Sequence, residues 1–153
     1  MKNIRKLLLG LFIFMLVMGN SALAGEETEV KLFGVGSTVV KLEDMSHAIK
    51  TGGKKPNEGF VYSPVGIKPN GKANFSMMIK GKGTIILKIE ETDARGTFIK
   101  ETISKPVTLS DKWQTVELLS HLSSNTAQVD ALVLTTTKQQ SDFLVKRINW
   151  TKK

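Results

Sequence analysis

Two histidines, His47 and His121, are the only imidazoles in the 153 residues, and there is no cysteine. Thiol nucleophiles, disulfides, thiolate metal sites and a cysteine-borne lipid anchor are therefore excluded. The histidines fall in separate segments, and no His-x-x-x-His, nucleophile-elbow or phosphate-loop spacing occurs. Two nitrogen ligands without cysteine make a poor zinc site. The paired acids, Glu26-Glu27, Glu43-Asp44 and Glu90-Glu91, are adjacent residues; on an extended backbone neighbours point to opposite faces, so no such pair can flank one glycosidic bond. Gly34-x-Gly36 lacks the third glycine and the helix of a dinucleotide loop and reads as a turn. The residue chemistry points to binding without catalysis, and the expectation is that the chain is not an enzyme.

The residues able to bind must be positioned by strands. From Lys72 to Glu91 the sequence alternates: Ala73, Phe75, Met77 and Ile79 share one face, with Asn74, Ser76, Met78 and Lys80 on the other. Ile85, Leu87 and Ile89 then repeat the pattern against Thr84, Ile86, Lys88 and Glu90. This period of two is that of half-buried strands. Gly81-Lys82-Gly83 supplies residues that accept positive φ where a tight hairpin reverses, so the stretch is predicted to be a hairpin with one apolar face. A lone hairpin is marginal in water, so a second sheet must cover it.

The remaining sequence offers that sheet. Short β-branched or aromatic runs recur at 29–33, 38–43, 47–51, 59–64, 97–103, 106–110, 113–119, 129–137 and 141–150, separated by turn formers such as 51–59, Lys68-Pro69-Asn70-Gly71 and 92–96. No amphipathic helical run follows residue 24. The pattern predicts an all-β protein, an antiparallel β-sandwich of about ten strands. At the N-terminus, Lys2, Arg5 and Lys6 precede the apolar run Leu7 to Met18 and the small-residue site Ala22-Leu23-Ala24. This is the layout of a cleaved signal peptide, residues 1–24, and its apolar core is shorter than the roughly 20 residues of a membrane span. The expected product is a secreted single domain, residues 25–153, with no transmembrane segment. Cleavage takes the basic residues from 22 to 19 against 14 acids, a net charge of +5. An exported chain of that charge is expected to meet anionic envelope polymers rather than nucleic acid.

Across Ala48 to Trp150, the order AIKTGG, FVYSPVGIKPNGKANFSMMIKGKGTIILKIEETDARG, PVTLSDKWQTVEL and DFLVKRINW resembles the bacterial carbohydrate-binding modules of galactose-binding-domain-like, jelly-roll fold. The resemblance implies a secreted, non-catalytic domain that docks a polysaccharide or cell-surface glycan on one sheet face. Sugars present hydroxyls and apolar C–H faces, and sites for them combine aromatics with charged or amide groups. By resemblance the candidates are Tyr62, Met78, Lys80, Lys88 and Glu90, with Asn74 and Ser76 beside them. Trp113 and Trp150 are assigned to the core with Phe60, Phe75 and Phe143. The alternative is an envelope-associated protein-interaction or structural sandwich in which these residues form a solvated face.

The family often holds a structural calcium ion near the final strand. Here Lys146-Arg147 stands where the resemblance implies acids, so the expectation is no cofactor and a protein cation in place of the metal, paired with Glu43 or Asp44. Phe143 and Val145 have one parity and Ile148 and Trp150 the other. If all four are core, the strand must bulge at Lys146-Arg147.

Overall fold

The computed structural model describes residues 30–152; residues 1–24, expected to be a signal peptide, lie outside the described residues. Eleven strands follow one another: β1 (Phe33–Val35), β2 (Ser37–Lys41), β3 (His47–Thr51), β4 (Gly59–Tyr62), β5 (Lys72–Gly81), β6 (Thr84–Thr92), β7 (Phe98–Ile103), β8 (Val107–Thr108), β9 (Gln114–His121), β10 (Gln128–Thr135) and β11 (Asp142–Lys152). They form two antiparallel sheets. One has the order β1-β4-β10-β6-β7, with β8 also on β6; the other is β2-β3-β11-β5-β9. This is the expected all-β sandwich.

The alternation predicted for β5 and β6 holds residue by residue. Phe75, Ile79, Ile85, Leu87 and Ile89 are fully buried, and at about 25 cal/mol per Å2 such apolar faces supply the main favourable term in folding. With Phe60, Val129, Val133, Phe143 and Val145 they fill the space between the sheets.

The expected hairpin does not form. β5 pairs with β11 and β9, whereas β6 pairs with β10, β7 and β8. The Gly81-Lys82-Gly83 turn therefore carries the chain from one sheet to the other, and the two apolar faces meet across the core instead of lying side by side. The turn's backbone bonds to neighbouring segments: Gly81 N–H donates to Ser110 O at 2.7 Å, Lys82 N–H to Asp142 O at 3.1 Å, and Gly83 O accepts from Leu109 N–H at 2.9 Å. Gly81, at φ +148, sits so close to β11 that a Cβ would press into the Asp142 carbonyl and the Phe143 side chain. Gly81→Ala is expected to cost about 2 kcal/mol or more, read as a lowered midpoint of denaturant unfolding.

The bulge in the final strand does form. Pairing of β11 with β5 runs in register to Lys146↔Met78, slips, and resumes at Asn149↔Ser76. Arg147 adopts φ +51. Phe143 and Val145 are buried, and Ile148 and Trp150 pack against the same core.

Candidate functional site

The crossing at Gly81-Lys82-Gly83 separates the residues expected to form one surface. Lys88 and Glu90 project from the outer face of the sheet containing β6, whereas Met78 and Lys80 project from the outer face of the sheet containing β5. Tyr62 belongs to neither face. It has the parity of buried Phe60, and its ring stacks on Phe75 with centroids 6.3 Å apart and planes at 21°. Burial raises the pKa of its hydroxyl. The five candidates thus occupy opposite sides of the sandwich and its interior, because β5 and β6 lie in different sheets.

On the β6 side, Lys88 is held between two carboxylates, Glu90 at 3.0 Å and Glu101 of β7 at 3.1 Å. Burial works to lower its pKa, but the hydrogen bonds to Glu90 and Glu101 outweigh it and raise the value. Ser63 donates to Asp130 at 2.5 Å nearby. The row crossing this face is mostly apolar, from exposed Phe33 through Val61 and Leu132 to exposed Ile103, with Lys88 its one charged member.

The β5 side is different. Trp113, immediately before β9, lies beside Lys80, because Ile79 pairs with Gln114. Two ammonium groups lie over its indole ring, Lys80 Nζ at 4.9 Å and Lys146 Nζ at 4.2 Å from the centroid. A cation over an indole face is attracted by the ring quadrupole. Arg147, turned outward by the bulge, reaches Met78 Sδ at 3.7 Å. The assignment of Trp113 to the core is corrected. In β9, Val116, Leu118 and Ser120 face inward, and Thr115, Glu117 and Leu119 outward. Trp113 has the outward parity, a signal that the sequence itself carried. Trp150, paired with Phe75, is turned toward the core as expected.

Next to Trp113 the same outer face is indented. A depression of about 430 Å3 is lined by Ala48, Lys50, Lys80, Asp111, Asp142 and Leu144. A second, of about 590 Å3, shares Lys50 and extends to Ser37, Gly52 and Gln140. The loop beside it is fixed by Glu58, whose carboxylate accepts N–H bonds from Gly53 at 2.6 Å, Lys54 at 3.1 Å and Lys55 at 3.2 Å. Burial acts to raise the pKa of Glu58; the N–H groups of Gly53, Lys55, Lys54 and Gly52 prevail and lower it. A lowered carboxyl pKa contributes stability that is complete above the ordinary value of 4.5 and lost as pH falls through the folded value. Glu58→Gln is therefore expected to lower the melting temperature at neutral pH, with the gap to the parent protein closing on acidification below about pH 4.

The cation expected to replace a metal is placed by the bulge, but its partner differs. No carboxylate among the described residues comes within 4.0 Å of Lys146. Asp44 is held low in pKa mainly by the Ser46 hydroxyl and N–H, with the charge of Lys146 a smaller contribution from farther away. The ion pair with Glu43 or Asp44 is thus replaced by the contact with Trp113. Among the described residues no three His, Asp or Glu side chains gather as metal ligands. His47 and His121 lie on β3 and β9, three strand spacings apart, roughly 14 Å across the sheet, and seven residues out of register, roughly 24 Å along it.

The architecture is the β-sandwich of carbohydrate-binding modules, and solved modules of three numbered families share it. The CBM22-1 xylan-binding domain from Paenibacillus barcinonensis Xyn10C superposes with a TM-score of 0.63 at 14% identity, over 79% of this chain and 85% of that one. The enzymatically active domain of bacteriophage CBA120 tailspike protein 4 gives 0.64 at 11% identity over 82% of this chain, which matches only 20% of the tailspike chain. A chain in the structure of accessory secretory proteins 1, 2 and 3 of Streptococcus pneumoniae gives 0.58 at 12% identity, covering 77% and 86%. No family model and no curated protein matches the chain.

Proposed function

We propose that this chain is an exported, non-catalytic glycan-docking domain and that its ligand rests on the outer face of the β2-β3-β11-β5-β9 sheet, around Trp113. The observation that carries this reading is an indole on an outer sheet face, with Lys80 and Lys146 over its ring and Lys80 also lining the adjoining depression. With the two ammonium groups over the ring, the indole offers its apolar edge to sugar C–H groups, while Lys50, Lys80, Asp111 and Asp142 supply donors and acceptors for hydroxyls. The xylan-binding domain of the same architecture supports the reading, as does the signal-peptide layout of residues 1–24. Of the five residues first expected, Lys80 and Met78 belong to this site. A shallow, wet site of this kind binds in the micromolar to millimolar range, about −8 to −4 kcal/mol.

Affinity electrophoresis of the full chain through soluble polysaccharides tests the assignment. Lys88→Ala, on the opposite face, is expected to leave retention unchanged, and its loss there would move the site to the β6 side.

A second reading has its own observation. The apolar row on the β6 side, with Phe33 58% and Ile103 48% exposed, suits a protein partner better than a sugar. The secretory-protein chain of similar fold favours that envelope-associated interaction role. If no polysaccharide is retained and Phe33→Ser or Ile103→Ser abolishes an association measurable by sedimentation, this second reading replaces the first.

A further inference from the structure

The cations around Trp113 bear on which glycan the face would hold. Lys80 and Lys146 reach one indole from neighbouring strands, β5 and β11. Two ammonium groups held at one ring repel each other, and the attraction of the ring offsets this only in part, at about 0.5–1 kcal/mol for each exposed contact. Neither has a carboxylate within 4.0 Å among the described residues. Arg147 adds a third cation, in contact with the thioether of Met78. The contrast with Lys88 is direct: on the other face a single lysine is neutralised by two glutamates.

The acids on this side stand elsewhere. Asp142 is the cross-strand neighbour of Lys50, Asp111 lines the depression together with Lys80, and Glu117 accepts from Asn74 at 3.3 Å. Asp44 is occupied by Ser46. The ring is thus bordered by two ammonium groups, with Asp111 and Asp142 set in the adjoining depression rather than at the ring.

Resting on the glycan-docking reading, we infer that the site is selective for acidic glycans, chains bearing carboxylate or phosphate groups. The anionic group of such a sugar lies between Lys80 and Lys146, relieving their repulsion, while the pyranose or polyol carbon skeleton covers the edge of Trp113. Arg147 is placed to take a second anion one residue along the chain. A neutral glucan or xylan would leave the paired ammonium groups without a carboxylate or phosphate in direct contact in the bound state, and so gains less.

The test titrates the full chain with four probes in parallel by affinity electrophoresis and calorimetry: polygalacturonate, poly(glycerol phosphate) teichoic acid, neutral xylan, and polyglutamate as a polyanion without sugar. The expected result is binding of one or both acidic glycans well above xylan and polyglutamate. That binding should weaken as salt is raised and fall about tenfold for each of Lys80→Gln and Lys146→Gln. The polygalacturonate and teichoic acid arms distinguish carboxylate from phosphate. Xylan bound as tightly as the acidic glycans, lost in Trp113→Ala but unchanged in the lysine variants, would overturn the acidic selectivity and leave glycan docking standing. Polyglutamate bound as well as the glycans would reduce the site to general electrostatics and overturn the inference. Retention of no sugar polymer at all would overturn both.

Discussion

Trp113→Ala is expected to abolish retention on glycan while lowering stability by only about 1–2 kcal/mol. The reasoning begins with phase: Trp113 shares the outward parity of Thr115 and Glu117, so its ring fills no part of the space between the sheets. Truncating a buried tryptophan costs about 3–5 kcal/mol. An outward one forfeits its two cation contacts, about 0.5–1 kcal/mol each. Binding responds differently, because a flat aromatic at the centre of a shallow site is the type of residue whose loss costs about 2 kcal/mol or more, near thirtyfold in affinity. For a ligand held at micromolar to millimolar strength, that loss ends detectable retention. Thermal melts and affinity electrophoresis on the same sample separate the two effects. A variant that melts as though a core side chain had been removed would return Trp113 to the interior and remove the proposed site.

The second large effect concerns the bulge. Val145 and Ile148 both face the core although they are three positions apart, and Arg147 absorbs the odd residue at φ +51. Deleting Arg147 puts Phe143, Val145, Ile148 and Trp150 in one continuous phase, so the fold is expected to survive. Deleting Asn149, two residues on, offers no such solution. Either the bulge persists and Trp150 turns outward with Thr151 facing the core, or the strand straightens and drives Arg147 inward as Ile148 leaves. The first outcome takes Trp150 from beside Phe75 and the second takes Ile148 from the core and turns a guanidinium inward, at an expected cost of at least about 3 kcal/mol, enough to threaten a domain of this size. Urea unfolding of the two deletions compares them directly; equal stability would show that β11 tolerates a change of phase. Arg147→Gly, which removes the Cβ from a left-handed position, is expected to stabilise by up to about 1 kcal/mol.

Much of this was legible in the sequence because alternation reports burial directly. β3, β5 and β6 run over the expected residues, and the broken parity of Phe143, Val145, Ile148 and Trp150 located the bulge. Alternation does not report the pairing partner. In β5 and β6 the apolar residues are in phase across three intervening residues, which fits a three-residue hairpin with Ile79 beside Ile85 and equally a crossing with Ile79 opposite Ile85. Only the neighbours decide: β5 takes β11 and β9, β6 takes β10 and β7, and no free edge remains for the two to share. Splitting Met78 and Lys80 from Lys88 and Glu90 follows from that alone. Trp113 was misplaced for another reason: a large aromatic was assigned to the core by its type, against the phase of its own strand. Glu101 escaped notice because its value to Lys88 exists only once β7 lies beside β6.

The chain has two tryptophans, one outward at the proposed site and one turned toward the core. Their indole N–H signals in a 1H–15N spectrum give the most direct test, recorded while a retained polysaccharide oligomer is added to the full chain. The account requires the Trp113 signal to shift progressively and saturate, with the Trp150 signal fixed. A saturating ligand that leaves Trp113 unmoved, and instead shifts the amides of Lys88, Glu90 and Glu101, would contradict it.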